Sequence, residues 1–263
     1  MDFVYKAPGL FFSSKLTPEP NLANFQMHTH DMIEIYRFIG GKGVFHVEGS
    51  AYELLPGDVL VMKPTESHYV ELEENVPYER AVLNVHPAFF ATIDPEGKLF
   101  RAILDRPSGT ANRYRDSDFP MGSEPYFRMM CSPEGDPHVN VLCGLMQLLH
   151  AIHGMRDANR EQPDSLEYRI VRYVNENIRG QLTLEDICRE FYLSKSQLCR
   201  LFRKATATTV RQYITVKRLV YAQGLINQGI SPTEASLQSG FRDYSVFYRA
   251  WIKHHGTPPS ATK

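Results

Sequence analysis

The chain changes its period near residue 165, and that change limits the possible folds more than any other feature. Beyond it the helix starts are spelled out. Thr183/Asp186, Ser194/Gln197, Thr209/Gln212 and Ser231/Glu234 each set a hydroxyl three residues ahead of a carboxyl or amide. Such a hydroxyl accepts from the backbone N–H three residues on, while the later side chain reaches back, so two groups that a helix end leaves bare are satisfied. Pro232 follows Ser231 at the first helical position, where a missing N–H costs nothing. Asp243 reads as a further N-cap. Helix starts this closely spaced leave no room for a sheet.

The same small unit occurs twice. LTLEDICREF-YLS-KSQLCRLFRKA predicts a helix over about 182–191, a short turn and a second helix from about 195. SPTEASLQS-GFR-DYSVFYRAWIKH repeats it, with a helix from about 232, a turn through Gly240 and a helix from about 243. A helix, a tight turn and a second helix present the start of the second helix to base edges in a major groove. Leu198, Leu201 and Phe202 face one small core, and Phe247, Ala250 and Trp251 the other, with Tyr248 open to core or surface. The remaining faces carry Lys195, Ser196, Cys199, Arg200 and Arg203, then Tyr244, Ser245 and Arg249. Arg203 and Lys204 read as phosphate contacts or plain surface. Between the copies, residues 209–228 as one helix span about 30 Å, close to the ~34 Å turn of B-DNA. A rod of that length can seat two recognition helices in successive major grooves of double-stranded DNA.

Charge follows the same division. Residues 1–164 carry 14 Lys+Arg against 23 Asp+Glu, and residues 165–263 carry 15 against 7. The overall net charge of −1 therefore hides an acidic part and a basic one. The basic part suits a polyanionic partner or a solvated helical surface.

Residues up to about 130 are strand-like. GVFHVEG, AYELL, DVLVM and YERAVLNV are separated by Gly and Pro turns, the spacing of an antiparallel sandwich or barrel. Residues 138–155 switch to helical period, with Val141, Leu142, Leu145, Leu148, Leu149 and Ile152 in one stripe. The stripe has two uses, packing on its own barrel or forming a subunit interface. We expect Leu142, Leu145, Leu149 and Ile152 to help bury a homodimer interface. Polar, aperiodic residues then form a linker. The expected organisation is 1–155, a linker over 156–164, and 165–263.

Within HTHDMIEIYRFIGGKG, the even-numbered His28, His30 and Glu34 would project to one face of a strand. GDVLVMKPTESH brings His68 after a turn and a strand. Three histidines and a glutamate suit a divalent metal. They equally offer the donors and acceptors that a hydroxyl-rich ligand needs. Tyr36 and Arg80 are weaker candidates for the same pocket, each equally readable as sheet surface, and Phe38 and Phe45 add aromatic surface. His46 reads as structural or exposed. No run of about 18 apolar residues is present, so no membrane span is expected. The N-terminus MDFVYKAPGLFFSSK has no secretory pattern. Four cysteines without a CxxC pair read as reduced thiols of a cytoplasmic protein.

On SKSQLCRLFRK, RLVYAQGLI and GFRDYSVFYRAWIKHHGTPPS, residues 165–260 resemble the double helix-turn-helix domain of AraC/XylS-type transcription regulators. Over most of 20–90, HTHDMIE and GDVLVMKPTESH resemble the two cupin motifs. The resemblance implies a two-domain chain: an all-β cupin-like jelly-roll barrel, plus helices, followed by an all-α double helix-turn-helix domain. By position it gives base-facing roles to Lys195, Ser196, Cys199, Arg200, Tyr244, Ser245 and Arg249. Ala207 stands where the family often has Gly, and Ala235-Ser236 where it usually has Ile-Ala. The implied function is a ligand-responsive, sequence-specific DNA-binding transcription regulator without catalysis of its own. It would act as a cytoplasmic homodimer that senses a sugar or other small polar metabolite, with RNA polymerase as a further partner. The first expectation for His28, His30, Glu34 and His68 is an effector pocket without metal, and the second is a divalent metal cofactor. The alternatives are a metal-dependent cupin enzyme fused to a DNA-binding domain, or a barrel used only for dimerisation.

Overall fold

The computed structural model describes residues 2–155 and 163–261. Most of the linker expected over 156–164 lies outside the described residues. The first part pairs strands β1 (Phe3–Ala7), β2 (Leu10–Thr17), β3 (Ile33–Gly40), β4 (Gly43–Val47), β5 (Ser50–Glu53), β6 (Val59–Met62), β7 (His68–Leu72), β8 (Tyr78–Val85) and β9 (Arg113–Tyr114). They form a sheet of order β1-β2-β8-β3-β6-β9 facing a smaller one of order β5-β4-β7. Every strand pairing is antiparallel.

Three helices cover the outer face of the large sheet: α1 (Arg101–Leu104), α2 (Glu124–Met130) and the longer α3 (Pro137–Gly154). The large sheet is therefore a middle layer, which is why β3 reads IEIYRFIG, buried from Ile33 to Phe38. Ile33 and Ile35 join Val59, Val61, Leu83 and Val85 against the helices. Tyr36 and Phe38 point the other way and fill the space between the sheets with Phe45, Leu60, Met62 and Tyr78.

This layering corrects the reading of the α3 stripe. Val141, Leu145, Leu148, Leu149 and Ile152 are buried in the core of their own chain, with Leu142 packed partly against it. The stripe is consumed by the sheet beneath it, so it is not the expected dimer interface. Residues 91–135, which carry no periodicity of their own, close the rest of that core with Phe100, Ile103, Phe119, Phe127 and Met130.

The second part is helical: α4 (Leu166–Asn177), α5 (Leu184–Phe191), α6 (Lys195–Thr206), α7 (Val210–Asn227), α8 (Pro232–Gln238) and α9 (Tyr244–His255). Reciprocal capping boxes close the starts of α5, α6 and α7 at Thr183, Ser194 and Thr209. At α8 only half of the device forms: Ser231 accepts from the Glu234 N–H, while the Glu234 carboxylate accepts from Gln238 Nε2 at 2.9 Å. Asp243 caps α9 through the N–H groups of Ser245 and Val246.

Two small cores follow. Ile170, Val174, Ile187, Leu198, Phe202 and Tyr213 make the first. Leu219, Ala222, Ala235, Phe241, Phe247 and Trp251 make the second. Helix α7, about 27 Å long, contributes to both and so fixes their spacing. Tyr248 is 40% exposed and belongs to the surface. The turn between α8 and α9 needs Gly240: its φ is +88°, and a Cβ there would stand 2.7 Å from the Arg179 carbonyl oxygen. Among the described residues, no helix is long and apolar enough to cross a membrane.

Ala207 ends α6 in the left-handed conformation, with φ +54°. An L-residue with a Cβ pays about 1–2 kcal/mol there, while glycine loses extra freedom worth roughly 0.5–1 kcal/mol on folding. Ala207 is exposed, so nothing else is lost on substitution. Ala207→Gly should therefore raise stability by about 0.5–1 kcal/mol, read as a higher denaturation midpoint at unchanged slope.

Candidate sensing site and nucleic-acid interface

His28, His30, Glu34 and His68 do come together: one ligand atom from each lies within 4.8 Å of every other. The route differs from the alternation expected of a single strand. β3 begins at Ile33, so His28 and His30 precede it. They are placed instead by an isolated antiparallel bridge, with His28 N donating to His68 O at 3.1 Å and His68 N to His28 O at 3.0 Å. The Thr65 N–H donates to His30 O at 2.8 Å and holds the loop before β7 against the same segment.

All three rings are fixed alike. Nδ1 of His28 faces Gln26 O at 3.0 Å, Nδ1 of His30 faces Met32 O at 3.1 Å, and Nδ1 of His68 faces Glu66 O at 2.9 Å. A carbonyl only accepts, so each Nδ1 carries a hydrogen and each Nε2 is left for the centre of the cluster. There Nε2 of His30 lies 3.1 Å from Glu34 Oε2 and Nε2 of His68 lies 3.6 Å from Glu34 Oε1. The buried His68 Nε2 has no hydrogen-bond partner. Glu34 and His68 are buried, His30 is half-buried and His28 is exposed, so the cluster opens to solvent on the His28 side.

Lone pairs converging on a buried carboxylate require positive charge, supplied by protons or a cation. Burial opposes charge on Glu34, but His68 and the hydrogen bond from His30 outweigh it and hold the carboxyl well below its usual range. Burial likewise opposes charge on His68, and Glu34 overcomes it and raises the imidazole pKa. Nδ1–H held by a carbonyl is also the arrangement that orients metal-binding histidines. The four side chains thus fit a divalent transition metal.

The barrel face beside the cluster is polar at its edge. Tyr36 is buried, with its hydroxyl 2.8 Å from that of Tyr78, and burial raises the pKa of both phenols. The strand register pairs Glu34 with Asn84, Tyr36 with Val82 and Phe38 with Arg80, which puts Arg80 and Asn84 on the same face as Glu34. Arg80 lies over the Tyr78 ring at 4.9 Å, and its buried Nη1 has no hydrogen-bond partner; nor does Asn84 Oδ1. Asn84 was not a candidate from sequence, because its pairing with Glu34 depends on the register of β8. His46, half-buried, stacks on Tyr69 and contacts Glu71, away from the cluster.

On the helical part, Lys195, Ser196, Cys199, Arg200 and Arg203 of α6 and Tyr244, Ser245 and Arg249 of α9 are all exposed. Lys195 forms an ion pair with Glu185 of α5. A groove of about 700 Å³ runs between the two units and includes Arg211, Arg218 and Arg242. Arg218 is committed to the carbonyls of Ile178 and Gly180, whereas Arg211 and Arg242 are exposed. Both lie outside the repeated face that periodicity picks out.

Residues 19–116 match the family described as the AraC-like ligand binding domain, and residues 187–263 match a helix-turn-helix domain family. The HTH-type transcriptional activator RhaR of Salmonella dublin is 23% identical over 256 residues, covering 90% of this chain and 86% of the relative. Among solved structures, the AraC-like transcriptional activator CuxR is 19% identical, with a TM-score of 0.41, covering 90% of this chain and 84% of that one. ToxT from Vibrio cholerae O395 is 15% identical, with a TM-score of 0.37 and 97% of each chain covered. With an AraC-like ligand-binding domain ahead of a DNA-binding helix-turn-helix domain, the chain belongs to the AraC family of transcription regulators.

Proposed function

We propose that this regulator senses a small, hydroxyl-rich polar metabolite at the mouth of its barrel, with a divalent metal held by His28, His30, Glu34 and His68. The observation that carries the reading is the common ring orientation: three Nδ1–H groups are donated to carbonyls, Nε2 of His30 and of His68 lie 3.1 and 3.6 Å from Glu34, and His28 completes a set of ligand atoms within 4.8 Å of one another. A bound metal would supply a Lewis-acidic point for a ligand oxygen. The chain's own groups supply the rest of the recognition. Arg80 Nη1 offers donors and Asn84 Oδ1 an acceptor, both without a hydrogen-bond partner, and the exposed side of His28 gives access. A sugar or sugar derivative has the alternating hydroxyls to meet them. The protein acts in the cytoplasm as a homodimer, without catalytic turnover, and its bound DNA presents it to RNA polymerase.

Metal analysis of protein prepared without chelator or a nickel column tests the site. Iron, manganese or zinc should approach one equivalent and be lost in His30→Ala and His68→Ala. Metal-free wild-type protein that is stabilised by a sugar, with the stabilisation lost in Glu34→Ala, would return the site to a plain effector pocket.

For DNA, Arg200 and Arg249 occupy matching places on the exposed faces of α6 and α9. In our reading each makes a bidentate contact to a base edge in its own major groove. Replacing either with Ala should weaken binding to a promoter fragment by about 5- to 150-fold. The small Ala235 and Ser236 side chains leave the second core the lighter one, so Arg200→Ala should cost more. Gel-shift titration at fixed salt measures this, and wild-type affinity in both variants would remove these residues from the interface.

A further inference from the structure

The cluster and the helical part are joined through one carboxylate. Glu48, at the β4–β5 turn, is 2% exposed and accepts from five donors. Ser67 gives it both its backbone N–H and its hydroxyl. Lys217 Nζ lies 2.6 Å from Oε1, the Tyr213 hydroxyl 2.7 Å from Oε2, and Asn175 Nδ2 also donates to Oε2. Three of these donors therefore come from α4 and α7 of the DNA-binding part. Gly49 completes the fit: a Cβ there would meet Val171 Cγ2 at 3.0 Å and the Glu167 carbonyl oxygen at 3.2 Å.

The contacts surround the cluster on both sides. Ser67 immediately precedes His68, and its hydroxyl oxygen lies 3.1 Å from that of Tyr213. Lys217 also donates to the carbonyl of Thr65, whose own N–H is bonded to His30 O. Met27, next to His28, packs against the first helix-turn-helix core. Asp31, next to His30, accepts from Asn227 at the end of α7 at 3.1 Å. Each segment that carries a cluster histidine thus touches the helical part within three residues of that histidine, and most of these contacts end on α7. The exposed recognition faces are not covered by this docking, so occlusion does not account for it.

We propose that Glu48 is a coupling residue: through Lys217, Tyr213 and Ser67 it ties the state of the histidine–glutamate cluster to the position of α7, and so to how the two recognition helices are presented to DNA. The proposal rests on the cluster being the sensing site. Removing one charge of the buried Glu48–Lys217 pair would strand the other and endanger folding. The informative change is therefore the double variant Glu48→Gln/Lys217→Met, with Tyr213→Phe as a milder second case.

Full-length protein is titrated with zinc alone, and hydrogen exchange is followed over 210–227 together with affinity for a duplex selected by the wild type from a random pool. In the wild type, zinc should alter exchange along α7 and change DNA affinity by about 5-fold or more, and DNA should change zinc affinity by the same factor. In the double variant, zinc still binds but both effects vanish, and Tyr213→Phe reduces them. Equal effects in wild type and variants, or zinc bound to the wild type with α7 unmoved, would overturn the coupling. If the wild type takes up no zinc, zinc is excluded as the metal of the cluster. The coupling is then decided without metal: His68→Ala should speed exchange in α7 in the wild-type background but not in the double variant, and an unchanged α7 would refute it.

Discussion

The loop from Lys63 to Ser67 is what the rest of the molecule is arranged around, and one buried ion pair holds it. Glu66 is almost completely buried and would be costly there as an isolated charge. Two nitrogens of Arg106 reach it at 2.8 and 2.7 Å, joined by the N–H groups of Lys63 and Gly109 and by Asn112. Burial works against its ionisation, yet Arg106 and the surrounding donors hold its carboxyl below the ordinary value. Arg106 spends further hydrogens on the carbonyls of Val61 and Thr110. With its lone pairs met on all sides, the carboxylate locks the loop in one conformation. That loop then offers Glu66 O to the His68 ring and Thr65 O to Lys217.

Two carboxylates eighteen residues apart thus divide the work across this loop. Glu66 fixes it from within the barrel, and Glu48 fixes it to the helices. Buried charges of this kind add little net stability compared with apolar packing, but they penalise every arrangement in which a partner is missing. A sensor needs that property. With α7 docked the pair is complete, and any half-docked arrangement would leave Glu48 or Lys217 without its countercharge.

The helical part answers a different constraint. DNA fixes the distance between successive major grooves, so two small units must be held apart by something stiff. Helix α7 does this by lending Tyr213 to one core and Leu219, Ala222 and Ile226 to the other. Its central residue Lys217 lies between these contributions and faces the barrel. The element that spaces the recognition helices is therefore also the one docked on the sensing domain.

Much of this was legible in the sequence. Helix starts, the repeated unit, the exposed arginines and the cluster members are local matters: a cap is decided within three residues, and a helix face by a period of 3.6. The four cluster residues could be named because their types suit one chemistry, although the strand alternation offered as the reason was replaced by a backbone bridge between His28 and His68. What the tertiary structure alone decided is where faces and charges are used. The α3 stripe is as apolar as an interface, and only the sheet packed beneath it makes it core. Glu48 reads as a turn residue before Gly49, and Lys217 as one more cation on a basic helix. Their burial against each other is a contact across 169 residues of sequence, set by docking two finished domains, and no local period or spacing records it.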